Sequence, residues 1–139
     1  QIIGDGNEKN NLEKFVEENQ LQERVIFYGT KTSDEILELL RKSKIFGFTS
    51  LKEALPTVLV EAMFCSNAII SYNCNYGPSD IVKNNSGFLI DVNNKEDFIQ
   101  KLEMLTNSDE KLEKMMENAS KEAQNWKQNE ILKKWQEII

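Results

Sequence analysis

Short apolar runs alternate with amphipathic segments along most of the chain. Apolar runs bounded by turn residues predict strands, whereas apolar positions three or four apart predict helices. The predicted strands are Gln1–Ile3, Val25–Tyr28, Ile45–Phe48, Ala68–Ser71 and Gly87–Ile90, and the helices between them are Asn10–Asn19, one capped by Ser33, one starting at Pro56, and Ser79–Val82. Because the strands are apolar on both faces, the pattern predicts an α/β fold with a parallel sheet and helices on both faces.

The last third of the chain predicts only helices. Their expected ranges are Lys95–Leu105, Asp109–Ala123 and Glu130–Ile139, with Ser108 or Asp109 and Asn129 as candidate caps. Four apolar residues near the end have helical spacing, namely Trp126, Trp135, Ile138 and Ile139. We expect them to pack the terminal helices together, and docking of this face on another domain is the alternative.

Composition narrows the classes of function. The chain has 139 residues and a formal net charge of -6, which fits one acidic domain and disfavours binding to the phosphate backbone of nucleic acids. The apolar runs are far shorter than the roughly 20 residues that span a bilayer, and no signal peptide opens the chain, so we expect a cytoplasmic protein. The chain begins on a predicted strand without methionine, and we expect it to be part of a longer protein.

The residues that most often carry catalysis or metals are scarce. Histidine is absent, and Cys65 and Cys74 are the only thiols. Histidine-dependent triads and most zinc sites are therefore excluded, and any acid–base chemistry would use carboxylates. Two cysteines supply neither a four-ligand metal cage nor the disulfide density of a small secreted domain, so we expect both to be reduced and structural.

Two glycine-containing segments are incomplete as phosphate-binding motifs. Gly4-Asp5-Gly6 begins like a dinucleotide-binding fingerprint, but Lys9 stands where its third glycine would be. We interpret this segment as a tight strand-to-helix turn, and Gly77-Pro78-Ser79-Asp80 as a turn into a short helix. The incomplete fingerprint also disfavours an NAD-dependent oxidoreductase.

The segment around Pro56 carries the most informative chemistry. Proline suits the first position of a helix, so Glu53 lies in the loop ahead of that helix and Glu61 lies about 7 Å along its axis. Helical side chains lean toward the N-terminus, where free N–H groups and the helix dipole attract anions. Two carboxylates beside an anion site suit a nucleotide sugar, whose diphosphate lies between two polyhydroxylated ends. The alternative is that both glutamates are ordinary solvated charges.

The same segment resembles the donor-site motif of the retaining glycosyltransferases of family 4, also called group 1. The motif residues are Ser50, Glu53, Pro56 and Glu61-Ala62-Met63, between an apolar strand and Ala68-Ile69-Ile70-Ser71. Other matching pieces, in order, are Ile2-Ile3-Gly4-Asp5-Gly6, Val25-x-Phe27-x-Gly29, Gly77-Pro78-x-Asp80-Ile81-Val82, Gly87-Phe88-Leu89-Ile90, and Trp126 with Trp135. No single piece is specific, but the ordered set covers essentially the whole chain and resembles the C-terminal half of that family.

The resemblance implies the GT-B architecture, in which two Rossmann-like domains enclose a cleft. Residues 1–139 would form a single Rossmann-like donor-binding domain. Glu61 would hold the ribose hydroxyls of a nucleotide sugar. Glu53, the candidate catalytic residue, would lie near the donor hexose, and we do not assign it as a nucleophile.

The resemblance also implies backbone contacts to the donor. Those expected to meet the sugar and the diphosphate belong to Ala54, Leu55, Pro56, Thr57 and Val58, of which Pro56 has no N–H to offer. The turn at Gly29 and Thr30 would hold the base. No metal and no cofactor is expected.

The implied activity is transfer of a hexose, expected to be UDP-linked, to a glycan or lipid-linked acceptor with retention of configuration. This activity would serve the synthesis of a bacterial surface polysaccharide or glycolipid, such as lipopolysaccharide. Peripheral association of the full-length protein with the inner face of the membrane is compatible with this role. The resemblance implies that an N-terminal acceptor domain and a first strand–helix unit precede this chain. That unit would supply an Arg and a Lys that bind the diphosphate, and we expect the chain to be inactive without these parts. Ala54, where the family most often has glycine, keeps open a non-catalytic nucleotide-binding or scaffold module.

Overall fold

The computed structural model describes residues 1–136. Within this range the strands are β1 (Ile2–Ile3), β2 (Phe27–Gly29), β3 (Ile45–Phe48), β4 (Ala68–Tyr72) and β5 (Gly87–Ile90). The helices are α1 (Lys9–Glu18), α2 (Ser33–Arg41), α3 (Thr57–Phe64), α4 (Pro78–Ile81), α5 (Lys95–Thr106), α6 (Asp109–Ala123) and α7 (Gln128–Gln136). The chain divides into two compact units, Gln1–Glu38 and Leu39–Ile139.

The strands pair in parallel, as the sequence pattern predicts. Hydrogen bonds join them into two sheets, a pair β1-β2 in the first unit and a three-stranded sheet β3-β4-β5 in the second. The apolar pattern predicts parallel strands but does not determine which strands are hydrogen-bonded neighbours. The α/β class is therefore confirmed, and its strands are distributed over two sheets.

The first turn of α2 is held by a reciprocal cap. The backbone N–H and the hydroxyl of Thr32 donate to Glu35 Oε2 at 2.9 and 3.0 Å, and the Glu35 N–H donates to Thr32 Oγ1 at 3.4 Å. The capping residue is therefore Thr32, and the prediction of Ser33 is wrong because Ser33 is already the first helical residue.

This cap depends on the ionised form of Glu35. The hydrogen bond from the Thr32 N–H, followed by the one from Lys31, lowers the pKa of Glu35 from 4.5 to about 2. A carboxylate whose pKa is lower in the folded state stabilises that state above its unfolded pKa. The contribution of the cap is therefore present above about pH 4.5 and is lost as the pH falls toward 2.

The core of the second unit is built around β4, the central strand, whose five residues are all buried. Because side chains alternate along a strand, its two faces pack against different helices. One core cluster joins Ala68, Ile70 and Tyr72 of β4 to Ile90, Leu105, Leu112 and Met115 of β5, α5 and α6. On the other face β4 contacts α3, so helices cover both faces of this sheet.

β5 approaches β4 closely at Gly87. A Cβ at this position would lie 2.6 Å from both the Cβ and the backbone oxygen of Ile69, and 2.9 Å from Cγ1 of Val82. We expect Gly87→Ala to lower the free energy of unfolding by about 2 kcal/mol, because the added methyl overpacks a buried strand pair. Urea unfolding of the variant measures the loss. Gly6→Ala is the control, since a Cβ there meets nothing within 4 Å, and an equal loss in both variants would contradict the steric explanation.

Helices α5 and α6 match the predicted ranges within one residue, whereas the predicted end of the last helix, at Ile139, lies outside the described residues. Ser108 caps α6, its hydroxyl accepting the Lys111 N–H at 3.4 Å, as predicted. Asn129 does not cap α7, because that helix already begins at Gln128. Trp126 is half-buried in a 3₁₀ turn, Gln124–Trp126, and the packing predicted for Trp135, Ile138 and Ile139 lies outside the described residues and side chains. Among the helices of residues 1–136, none has the length and apolar character needed to cross a membrane.

Within residues 1–136, neither cysteine forms a disulfide. Cys74 is buried, and Cys65 is partly buried. Burial raises the pKa of the Cys65 thiol, which keeps it in the less reactive protonated form. The arrangement supports a structural role for both.

Candidate functional site

Two loops meet at the carboxyl ends of β3 and β4. The first covers residues 49–56 between β3 and α3, and the second covers residues 73–77 between β4 and α4. Gly77 has φ +101°, and a Cβ there would collide with Cδ of Pro56 and lie 3.3 Å from the backbone oxygen of Ala54. Only glycine adopts this conformation without strain and leaves room for the first loop. Gly77 therefore fixes the position of the loop that leads into α3.

No side chain that the structure describes caps the N-terminus of α3. Its N-cap residue is Pro56, with φ −76° and ψ 83°, so the helix begins at Thr57, one residue later than predicted. The Thr57 N–H donates to the Leu55 oxygen at 2.9 Å and the Leu59 N–H to the Pro56 oxygen at 3.0 Å. The N–H of Val58 has no partner among residues 1–136. A helix end with an unbonded N–H and the positive end of the helix dipole attracts an anion.

Glu53 and Glu61 lie on either side of this helix end along the chain, and both are half-buried. Glu61 is the fifth residue of α3. It lies four positions after Thr57, the first residue of the helix, and so it is about 40° from Thr57 around the helix axis and about 6 Å from it along the axis. Because helical side chains lean toward the N-terminus, the Glu61 carboxylate projects toward the first turn. Neither carboxylate forms a hydrogen bond or an ion pair within the described part of the chain. Both are therefore available to a ligand.

Large apolar side chains are exposed on the same two loops. Leu51 is 59% exposed, Leu55 50% and Tyr76 77%. Tyr76 also has φ +69°, a backbone conformation that is strained for an aromatic residue and that collects at ligand-binding sites. Leu55 is one of the predicted donor-binding residues, whereas Leu51 and Tyr76 were not predicted from the sequence as site residues. The signal was the aromatic residue directly before the Gly77-Pro78 turn, at a position that needs a left-handed backbone.

The neighbouring charges do not neutralise the two glutamates. Lys52, which directly precedes Glu53, is exposed, so water solvates its charge. The hydroxyl of Ser50 donates to the Lys52 oxygen at 3.3 Å, which helps to shape the loop from within. The functional groups at this edge are therefore the two carboxylates, the free helix end and the backbone of the loop, where Ala54 is exposed and Pro56 is buried.

Gly29 and Thr30 belong to the first unit. Gly29 ends β2 with φ +66°, and its oxygen accepts the N–H of Gly4 at 2.8 Å, while Thr30 is exposed. The neighbouring Gly4–Gly6 segment forms the predicted turn before α1, in which Asp5 accepts the Gly6 N–H at 2.9 Å. The assignment of Gly29 and Thr30 to the base of a nucleotide stays a prediction.

Comparison with known proteins connects this arrangement to one family. The family model for glycosyl transferases group 1 matches residues 1–122. The amylovoran biosynthesis glycosyltransferase AmsD of Erwinia amylovora is 31% identical over 138 residues, which cover 99% of this chain. This chain spans 38% of the length of AmsD.

Solved structures match the fold over nearly the same range. A point mutant of the Staphylococcus aureus protein TarM, solved in complex with Fondaparinux, alpha-GlcNAc-glycerol and UDP, superposes with a TM-score of 0.84 at 28% identity, covering 98% of this chain and 28% of TarM. The C-terminal domain of the glycosyl transferase group 1 protein LpcC from Francisella tularensis gives a TM-score of 0.76 at 27% identity, over 84% of this chain and 60% of that domain. The Rossmann-like α/β fold predicted for the C-terminal domain of a GT-B enzyme is thereby confirmed. This chain belongs to the group 1 family of glycosyltransferases.

Proposed function

We propose that this chain binds the donor in a glycosyltransferase that moves a hexose from UDP to a glycan or lipid-linked acceptor with retention of configuration. The product would be a bacterial surface polysaccharide or glycolipid. The observation that carries the proposal is the start of α3, where the described part of the chain provides no side-chain cap, no partner for the Val58 N–H and none for the half-buried carboxylates of Glu53 and Glu61. A diphosphate flanked by two hydroxyl-rich groups complements that arrangement.

Each group has a defined role in this proposal. The diphosphate binds at the first turn of α3, where the helix dipole stabilises the charge that grows on the leaving nucleoside diphosphate. Glu61 accepts hydrogen bonds from the two ribose hydroxyls, and Glu53 lies at the hexose. The backbone of Ala54–Val58 lines the space between them, and Gly29 and Thr30 hold the base. Support for UDP comes from TarM, whose structure was solved with UDP and alpha-GlcNAc-glycerol.

The domain organisation forms part of the proposal. Within residues 1–136, β3 pairs only with β4, and β1 pairs only with β2, so each strand keeps one edge of unpaired backbone groups. We propose that an acceptor-binding domain and a strand–helix unit precede this chain, and that the preceding unit brings the cations that clamp the diphosphate. The observation that this chain spans 38% of AmsD supports a longer protein. On this view, the chain alone has little or no turnover, and the full-length protein works in the cytoplasm, at or near the inner face of the membrane.

The alanine at position 54 is compatible with a second function. Ala54 occupies an exposed position in the loop that would approach the sugar, where the family most often has glycine, and its methyl group narrows that approach. A non-catalytic nucleotide-binding module would bind UDP without transferring a sugar. The two functions therefore differ in turnover and agree in nucleotide binding.

Calorimetric titration of the full-length protein with UDP and GDP tests the proposal. We expect UDP to bind more tightly than GDP, and we expect release of UDP from a UDP-hexose to require an added saccharide acceptor. Binding of UDP with no release from UDP-glucose, UDP-galactose or UDP-N-acetylglucosamine would favour the non-catalytic module. Absence of binding by any nucleoside diphosphate would overturn both.

A further inference from the structure

Tyr76 has two unfavourable features that nothing in the described part of the chain offsets. Its side chain is 77% exposed, the highest value among the exposed large hydrophobic side chains of residues 1–136, and its backbone is left-handed at φ +69°. Exposure of an aromatic ring to water and a left-handed backbone are both unfavourable for a bulky residue. Within the same range, the ring makes no hydrogen bond and stacks on no other ring.

The loop after β4 holds Tyr76 in this conformation from both sides. Cys74, two residues before it, is only 3% exposed, and Gly77, directly after it, is buried. The Gly77 oxygen accepts the N–H groups of Asp80 and Ile81 at 3.0 and 3.1 Å. The left-handed backbone is therefore imposed by anchored neighbours, and bulky residues held in this way collect at ligand-binding sites.

The same anchoring places Tyr76 next to the loop after β3. A Cβ on Gly77 would lie 3.3 Å from both the Ala54 oxygen and the Leu55 Cα. Because consecutive Cα atoms are about 3.8 Å apart, the Tyr76 Cα is at most about 9 Å from the Ala54 oxygen. Leu55 is itself 50% exposed, so two neighbouring segments each expose an apolar side chain here. The residue directly before Ala54 is Glu53, which is proposed to lie at the hexose.

The chemistry of a tyrosine side chain fits a neutral sugar at this position. Its ring offers an apolar face to the C–H groups of a hexose, and its hydroxyl can donate to and accept from sugar hydroxyls. A phosphate group fits less well, because the face of an aromatic ring carries partial negative charge. The hexose is therefore the part of a nucleotide sugar that matches Tyr76 best.

We propose that Tyr76 is a specificity-determining residue whose ring covers the hexose of the nucleotide-sugar donor. The inference rests on the proposed function, since it gives the sugar beside Glu53 a second protein contact. Binding of the hexose removes the ring from water, which offsets the cost of its exposure in the free protein. UDP alone lacks the hexose and makes no such contact, so Tyr76 contributes to the affinity for a UDP-hexose and not to that for UDP.

Calorimetric titration of the full-length protein, without acceptor, tests this contact with UDP, UDP-glucose, UDP-galactose and UDP-N-acetylglucosamine. Asparagine tolerates a left-handed backbone, so Tyr76→Asn removes the ring without adding strain. We expect this variant to bind the tightest UDP-hexose about 10-fold more weakly, to discriminate less among the three sugars, and to change its affinity for UDP by less than about 3-fold. Tyr76→Phe keeps the aromatic face and should bind every ligand within about 3-fold of the native protein.

Phe64→Ala is the matched control. Phe64 is an aromatic residue that is 43% exposed, and it is the last residue of α3, at the end of the helix opposite to the proposed site. Its replacement should leave the affinities for UDP and for the UDP-hexoses unchanged.

The outcomes separate the role of Tyr76 from the proposed donor function. Unaltered binding of UDP and of the UDP-hexoses by Tyr76→Asn would overturn the role of Tyr76 and leave the donor function standing. Absence of binding of any nucleoside diphosphate by the native protein would overturn both. Equal weakening of UDP and UDP-hexose binding, or a lower midpoint of thermal unfolding in Tyr76→Asn, would assign the ring a structural role and contradict the proposal.

Discussion

Replacement of Glu61 by glutamine is expected to weaken the binding of UDP by about 10- to 100-fold, because two hydrogen bonds from ribose hydroxyls to a carboxylate are replaced by bonds to a neutral amide. The half-buried position of Glu61, and its lack of a hydrogen-bond partner within residues 1–136, support a large effect, since nothing in that range replaces the hydrogen bonds of the ligand. Glutamine has nearly the same volume, so packing along α3 is preserved. Calorimetric titration of the full-length protein with UDP measures the change.

A ligand lacking the two hydroxyls makes this test specific. The native protein should bind 2′,3′-dideoxyuridine diphosphate more weakly than UDP, whereas Glu61→Gln should bind the two ligands with similar affinity, so that the two changes are strongly non-additive. Glu113→Gln, at an exposed glutamate of α6, is the control and should leave the affinity for UDP unchanged. Additive losses from the variant and the deoxygenated ligand would remove the ribose assignment.

The order of helices and strands could be predicted from the sequence because each apolar run ends at turn residues. Ile45–Phe48 and Gly87–Ile90 are strands over the predicted ranges, since strongly apolar runs leave little choice of boundary. Helix starts were less certain. The first residue of a helix depends on which side chain reaches the free N–H groups of the first turn. Thr32 and Ser33 are adjacent and chemically similar, and only the three-dimensional structure shows that Thr32 makes the capping bonds with Glu35.

Contacts between distant segments could not be predicted from local patterns. The sequence indicates that Gly77 is a turn residue. It does not indicate that a side chain at this position would collide with Pro56, because that contact arises only where the loops after β3 and β4 lie side by side. The distribution of the strands over two sheets has the same origin, because hydrophobic periodicity carries no information about neighbouring strands.

The candidate site was predicted in part for the same reason. Pro56 and the residues around it indicate a helix start, so the loop, Glu53 and Glu61 follow from local sequence. The half-burial of both carboxylates, and the lack of a partner for the Val58 N–H within residues 1–136, depend on how α3 packs on the sheet. These features give the site its chemistry, because the strength of hydrogen bonds and charges depends on how far they are removed from water.

Replacement of Glu53 by glutamine is expected to lower kcat by about 100-fold or more while the affinity for UDP changes by less than about 3-fold. In the proposed geometry Glu53 faces the hexose and not the nucleotide, so its charge acts on the sugar as positive character develops during departure of the diphosphate. UDP, which lacks the hexose, makes no contact with it. Steady-state transfer from a UDP-hexose and calorimetric titration with UDP measure the two quantities on the same preparation.

The adjacent lysine provides the control for Glu53. Lys52→Gln changes the charge of the same loop by one unit at an exposed side chain, and we expect it to alter kcat by less than about 3-fold, the scale of a solvent-screened charge. Equal losses in Glu53→Gln and Lys52→Gln would attribute the effect to the electrostatics of the loop as a whole. An unchanged kcat in Glu53→Gln would identify Glu53 as an ordinary loop charge, and the stabilisation of the hexose would then have to come from the backbone of Ala54–Val58 alone.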